Sequence, residues 1–219
     1  MPGSVANAPD TPYLAVDLDI LERNLIRAAA DAHDRGLVLR PHAKTHKSPE
    51  LGRLQLQHGA VGLTLATVGE AEIFADAGFD DLFLAYPVWP SESRAARIRA
   101  LVERVALRIG VDSAESARAL GEVLVEVDSG HHRSGVRPSD AGAVAGGAEQ
   151  SARDEASAIV EAAESLSRNG IEPTVCSGGS TPSRASADSS VLTELRPGVY
   201  VYWVSAWLKW LWFCAVFTE

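Results

Sequence analysis

Lysine is scarce in this 219-residue chain, with three lysines against seventeen arginines. Two of the three, Lys44 and Lys47, fall within the eight residues RPHAKTHK (40–47), beside His42 and His46. An amine can lose its proton and attack an aldehyde carbon, whereas a guanidinium stays charged. Strand periodicity over LVLRPHAK (37–44) puts Leu37, Leu39, Pro41 and Ala43 on one face, and Val38, Arg40, His42 and Lys44 on the other. The first set suits packing beneath helices. The second gathers three nitrogen-bearing groups at the C-terminal end of a strand, where parallel α/β folds bind ligands. Crowded cations disfavour one another's charged forms, which favours a free amine at Lys44. The same residues would also serve as a basic surface turn solvated by water, and spacing alone does not choose.

The elements that must position these groups are βα units. Short β-rich runs alternate with Ala-rich helical patterns, the signature of a parallel sheet. A first strand, YLAVDL (13–18), precedes a helix over about 19–35. Its residues Ile20, Leu21, Leu25 and Ala28 recur at helical spacing, with Asp19 as N-cap and Gly36 as terminator. Strands are predicted at 37–44, 61–67, 81–87, 106–112, 122–128, 172–180 and 194–202. Helices separate most of them, near 48–58, 68–77, 91–104 and 113–121. Seven strands after the first helix is one fewer than a (βα)8 barrel requires. The rhythm breaks after residue 128, where GAVAGGAEQSARDEASAIVEAAESL reads as a long helical stretch interrupted at Gly146 and Gly147.

A chain of this length can bury about 70% of its unfolded surface, so the core needs no staples. Hydrophobic content of 46% with 22% charged residues is ordinary for a globular protein. A net charge of −9 argues against a nucleic-acid partner, which is held mainly through phosphates. Cys176 and Cys214 form no disulfide framework or zinc spacing. MPGSVANAPDTP lacks the positive start and apolar core of a secretory signal, so a cytoplasmic location is expected. SGGSTPS (177–183) offers backbone N–H groups and hydroxyls to an anion, although a Gly/Ser-rich turn is as readily plain structure. In VDSGHHRSGV (127–136), adjacent His131 and His132 do not converge on one ion, so no metal pair is read there.

TPYLAVDLDILERN, RPHAKTHKSPEL and ATVGEAEIFADAGFDDLFLAYP together resemble the pyridoxal phosphate domain of D-threonine aldolases and the related D-serine dehydratases, of the alanine-racemase-like class. The resemblance covers residues 11–202 with gaps. It implies an α/β fold, a (βα)8-type pyridoxal phosphate-binding barrel of the alanine racemase N-terminal kind over 1–202, incomplete by one strand. It also implies that Lys44 is the catalytic lysine that holds pyridoxal 5'-phosphate. His42, on the same strand face, joins the cofactor site. Gly179, Ser180 and Thr181 are implied as phosphate ligands, with Ser177 and Gly178 shaping the turn and Cys176 a buried small hydrophobe. Arg133 falls where the family places an arginine beside the cofactor ring oxygen; otherwise it is a solvated loop residue. Tyr200, in RPGVYV (196–201), falls where a family tyrosine lies near the phosphate, with Tyr202 the weaker candidate. Either would otherwise be a core aromatic with its hydroxyl bonded. Lys47 is read as a solvated residue at a helix start.

The sequence departs from the family in three places. RALGEVLVEV joins a helix to a strand with a shortened loop. The family's strand and Gly-His-Ser-Tyr loop before the helix resembling EQSARDEASAIVEAAESL have no counterpart, which is the strand missing from the count. Finally, WVSAWLKWLWFCAVFTE (203–219) stands where the family continues into a β-rich C-terminal domain. Four of the five tryptophans lie in this tail. Because composition changes abruptly at residue 203, it is read as unrelated to the ancestral domain, with an interfacial helix as the alternative; it is too short, and interrupted by Lys209, for a span.

The family's divalent metal is bound in that absent domain, so its ligands are assigned to no residue here. A barrel short of one strand exposes two sheet edges, an aggregation hazard. The expected activity is retro-aldol cleavage of a D-3-hydroxy amino acid to glycine and an aldehyde. Dehydratase-type elimination and cofactor binding without turnover are the alternatives. A small-molecule D-amino acid is the expected partner, no membrane partner is expected, and the intact family forms homodimers.

Overall fold

The computed structural model describes residues 16–88, 91–111, 123–125, 141–181 and 183–202. Helix α1 (Leu18–Asp34) buries Leu21, Leu25, Ala28 and Ala32 along one face. Its cap is Asp17, not Asp19: the extended backbone at Asp17 lets its carboxylate accept from the Ile20 N–H at 3.0 Å. Asp19 lies instead in the first turn, where negative charge favours the helix N-terminus. Residues 16 and 17 are not in a strand, and the start of the run read as a first strand lies outside the described residues. Gly36 takes a positive φ of 66°, a conformation that suits glycine, and turns the chain into β1 (Val38–Leu39).

Strand β1 is far shorter than the eight residues predicted. Pro41 has no N–H to give a ladder, and the backbone then winds into a 3-10 turn at Ala43–Thr45. Ser48 caps α2 (Pro49–Gln57), with Pro49 in its first turn. There follow β2 (Leu63–Leu65), α3 (Val68–Asp76), β3 (Asp81–Leu84), α4 (Glu92–Val102), β4 (Ala106–Val111) and β5 (Val123–Val125). Helix α5 (Ala141–Arg168) runs unbroken through Gly146 and Gly147. Each glycine costs roughly 1 kcal/mol against alanine, too little to break a helix of 28 residues. Strands β6 (Ser177–Gly178) and β7 (Glu194–Leu195) and a 3-10 turn at Val199–Tyr202 complete the order. The predicted helix at 113–121 lies outside the described residues.

All named strand pairs are parallel, in two sheets ordered β6–β7–β1 and β2–β3–β4–β5. The sheets meet at β1 and β2. There the Val61 N–H donates to the Leu39 carbonyl at 3.0 Å and the Thr64 N–H to the Pro41 carbonyl at 2.8 Å. A parallel bridge between His42 and Thr64 extends the junction. Among the described residues, no strand lies between the outer strands β5 and β6. No helix among them is long and apolar enough to cross a membrane.

Two apolar clusters sit against this array. Leu63, Leu65, Leu82, Leu84 and Ile109 pack with Phe74 and Ile98 under α3 and α4. The second joins α1 to Leu37, Leu39, Leu195, Tyr200 and Val201. Each such fully buried side chain contributes about 1.5–3 kcal/mol.

A buried ion network spans the junction of the sheets. Arg40 Nε donates to Glu194 Oε2 at 2.6 Å, and its two terminal nitrogens donate to the Asp81 carboxylate at 2.7 and 3.0 Å. Arg108 donates to the same Asp81 at 2.5 Å, and Ser177 Oγ donates to Glu194 at 2.5 Å. A Cβ on Gly62 would lie 2.3 Å from Arg40 Nη1, so only glycine leaves the guanidinium room to pass. Burial alone would raise the Asp81 carboxyl, but the hydrogen bonds and charges of Arg40 and Arg108 hold it below its usual 3.8. Its stabilisation is therefore complete above that value and is lost as pH falls through the lower folded-state value.

Replacing Glu194 by alanine leaves Arg40 with an uncompensated share of buried charge. We expect a loss of about 3–5 kcal/mol in urea unfolding. Replacing Arg40 and Glu194 together by apolar residues should cost less than Glu194→Ala alone, and equal costs would contradict this account.

Candidate functional site

The RPHAKTHK segment is organised by its own short bonds. His42 Nδ1 accepts the Lys44 backbone N–H at 3.4 Å. The Ala43 carbonyl accepts from the N–H groups of His46 and Lys47 at 3.1 and 2.8 Å. Lys44 therefore projects from a turn, exposed, rather than from the end of a strand. Strand alternation correctly turned Leu37 and Leu39 towards α1. It failed for Arg40, which is committed to Glu194 and Asp81, and past Pro41, where the strand has ended. Lys47 is exposed, takes a φ of 51° and pairs with Glu70 at 3.1 Å.

The His42 ring is half-buried and held low, at about 3, first by burial and then by the charges of Lys44 and Arg196. It is neutral at physiological pH, and because Nδ1 is an acceptor the proton belongs on Nε2. His46 has a related arrangement. Its Nδ1 accepts the Ser48 N–H at 3.1 Å, so Nε2 donates to Gln55 Oε1 at 3.1 Å. The Gln55 amide in turn donates to the Tyr200 hydroxyl at 3.2 Å. Tyr200 is buried in the α1 cluster, and burial pushes its phenol above the usual range, so it stays un-ionised. Tyr202 is half-buried against the same cluster.

The glycine-rich loop follows β6. Gly179 has a φ of 82°, and a Cβ there would lie 2.7 Å from Leu195. Its N–H donates to Glu155 Oε1 of α5 at 2.9 Å. The Ser180 N–H donates to Ser183 Oγ at 2.9 Å, and the two serine hydroxyls bond each other at 2.8 Å. Cys176 is only half-buried, against the expectation of a buried residue, because it stands at the outer strand next to a groove. That groove, about 650 Å³, is lined by Ile159, Val160, Cys176 and Val191 among others, and by none of the predicted site residues.

One residue, Gly198, joins the lysine turn to the glycine loop. The Gly198 carbonyl accepts from Thr45 Oγ1 at 3.2 Å, while the Gly198 N–H donates to Thr181 Oγ1 at 3.2 Å. The His42 N–H donates to the neighbouring Pro197 carbonyl at 3.1 Å. A Cβ at 198 would press on Thr45 at 3.1 Å and on the His42 carbonyl at 3.2 Å. Thus Lys44, His42 and Thr181 belong to one bonded neighbourhood, with Ser180 and Gly179 next to Thr181 along the loop. Tyr200 is tied to the same turn from its buried side. Arg133, His131 and His132 lie outside the described residues, as does the tail 203–219.

Two charged residues here escaped the sequence reading. Arg196 lies over the Phe83 ring at 5.2 Å and donates to the Ser177 carbonyl at 3.1 Å. Its place in RPGVYV was the available signal. Glu155 gave none, since one carboxylate on an Ala- and Glu-rich helix looks like any other. Among the described residues, no group of three or more His, Cys, Asp or Glu converges as a metal site would need.

The family model described as the alanine racemase N-terminal domain matches residues 16–153. The chain belongs to that family. It is 32% identical to a D-threo-3-hydroxyaspartate dehydratase from Delftia sp. (strain HT23), over 88% of this chain and 61% of that protein. It is 32% identical to a D-threonine aldolase from Arthrobacter sp., over 92% and 63% respectively. Among solved structures, the D-threonine aldolase from Filomicrobium marinum superposes with a TM-score of 0.79 at 29% identity, covering 91% of this chain and 64% of that one. The chain thus spans about three fifths of the length of these relatives.

Neutral His42 should show no ring titration between about pH 5 and 8 by nuclear magnetic resonance. Because the unfolded ring protonates near 6.5 and the folded one near 3, its contribution to stability is complete above 6.5. That contribution falls as pH drops from 6.5 towards 3, and a ring titrating near 6.5 in the folded protein would contradict the assignment.

Proposed function

We propose that this chain is the cofactor-binding part of a pyridoxal phosphate-dependent lyase acting on D-3-hydroxy amino acids. The observation that carries the reading is the backbone of Gly198. It fastens a lysine-bearing turn to a glycine-rich loop through Thr45 on one side and Thr181 on the other.

The residues present suit such a group. The Gly179 amide already pairs with an anionic oxygen, and glycine at 179 leaves the loop close to Leu195 without a Cβ in the way. The hydroxyls of Ser180 and Thr181 lie on the same loop, and Lys44 supplies an exposed amine at the facing turn. In this reading Lys44 binds the aldehyde carbon of the cofactor, while Gly179, Ser180 and Thr181 hold its phosphate. His42 stays neutral beside the lysine and adds no competing charge. Tyr200 acts from behind, holding the turn through Gln55 and His46. Arg133 is assigned to the ring oxygen by resemblance. When bound, pyridoxal phosphate supplies the electron sink that lets a bond at the amino acid α-carbon break.

The reaction favoured is retro-aldol cleavage, which divides a 3-hydroxy amino acid into glycine and an aldehyde. Similarity to the D-threo-3-hydroxyaspartate dehydratase supports a second reading, elimination to a keto acid and ammonia. As architecture, we read the parallel array from β6 to β5 as a (βα)8-type barrel lacking one strand. The open interval between β5 and β6 is where that strand would stand.

The test is spectroscopic and chemical. Purified chain mixed with pyridoxal phosphate should gain a visible absorbance that Lys44→Ala abolishes while circular dichroism stays the same. With divalent metal added, D-threonine should release glycine if the aldolase reading holds, and D-serine or D-3-hydroxyaspartate should release ammonia if the dehydratase reading holds. Absorbance without either product would leave a cofactor-binding protein without turnover. Absorbance unaffected by Lys44→Ala would end the proposal.

A further inference from the structure

The glycine-rich loop already binds a carboxylate. Of its backbone donors, Ser180 N–H goes to Ser183 Oγ within the loop, whereas Gly179 N–H goes to Glu155 Oε1 at 2.9 Å, a side chain from α5. A Cβ on Gly178 would lie 3.0 Å from the same oxygen and 3.1 Å from the Glu155 Cδ, so the carboxylate rests directly on the loop backbone. Neighbouring Ala152 and Ala156 are buried, which fixes the helix face that carries Glu155.

At the same end of the fold Arg196 donates to the Ser177 carbonyl. The Glu155 carboxylate accepts from the Gly179 amide. An amide with φ near 82° presented to an anionic oxygen is the chemistry of an anion site.

We propose that the Glu155 carboxylate is a built-in competitor for the anion site at Gly179, so that a phosphate-bearing ligand binds there by displacing it. This rests on the reading of residues 177–183 as the phosphate loop. Two anions cannot share one amide: like charges in contact oppose each other, and one N–H cannot serve both fully. Glu155 thereby sets the affinity of the loop for phosphate without touching the lysine. The phosphate-free aldehyde pyridoxal, which makes no demand on Gly179, should be indifferent to it.

The experiment compares the wild-type chain with Glu155→Gln, which keeps the shape and an accepting oxygen but removes the charge. Titration with inorganic phosphate, read by calorimetry, should show binding at least about tenfold tighter in the variant. Pyridoxal affinity, read by visible absorbance, should be the same in both. Equal phosphate affinity, no phosphate binding by the variant, or equal tightening of phosphate and pyridoxal would each overturn the proposal.

Should the variant fail to fold, the wild-type chain supplies the answer. Saturating phosphate must move both the Gly179 amide and the Glu155 carboxyl carbon resonances, and a stationary Glu155 signal would overturn it. A gain in phosphate affinity without any Lys44-dependent absorbance would leave this inference standing and remove the lyase reading. The reverse result would remove this inference alone.

Discussion

Arg40 holds the two sheets in register, and the position of the lysine turn follows from it. Its guanidinium lies between Glu194 of β7 and Asp81 of β3, so one side chain directly after β1 ties strands from both sheets. Arg108 and Ser177 complete the set, leaving two arginines against two carboxylates with directed hydrogen bonds. Such a network is a poor source of net stability, since desolvation consumes most of the attraction. Its effect is specificity: a slip of β1 by one residue would leave every member buried and unpaired. With Arg40 fixed, His42 falls beside Thr64 and Lys44 falls on the turn beyond.

Gly198 converts that register into a site. Residues 42–45 and 177–183 are far apart in sequence, and neither segment is regular enough to position itself. Both bond to one residue, Thr45 to the Gly198 carbonyl and Thr181 to the Gly198 N–H. Both bonds need the chain at 198 to pass within van der Waals contact of residues 42 and 45, which a side chain would obstruct. From behind, the chain His46–Gln55–Tyr200 fixes the same turn against α2 and the α1 cluster. The turn is thus held on two sides, with Lys44 exposed on it.

The helices were legible in the sequence because their evidence is local. Spacing of Leu21, Leu25 and Ala28 and the helical run near 48–58 placed α1 and α2 within about two residues. The N-cap of α1 was misread because Asp17 and Asp19 both suit the role, and only backbone geometry separates them. Strands were placed in order but drawn too long, since β-rich composition continues past the point where ladder pairing stops. The same error put Lys44 at a strand end and Tyr200 on a strand face, whereas both belong to 3-10 turns. The lysine, the glycine loop and the family were visible as motifs. Glu155, Arg196 and the double commitment of Arg40 were not, because each depends on a partner distant in sequence.

The outer side of β6, which pairs with no other strand among the described residues, connects to the glycine loop. The Gly178 carbonyl accepts from the N–H of Arg196, directly after β7, so β6 is paired on that side. The next amide, that of Gly179, has no strand to pair with among the described residues, yet a partly buried N–H needs an acceptor. Helix α5 provides one through Glu155. A carbonyl from a neighbouring strand would have satisfied the amide permanently, as part of a ladder. A carboxylate on a rotatable side chain satisfies it reversibly. Among the described residues no strand stands beside β6 on this side, and the acceptor that a ladder would have supplied comes instead from a side chain of α5.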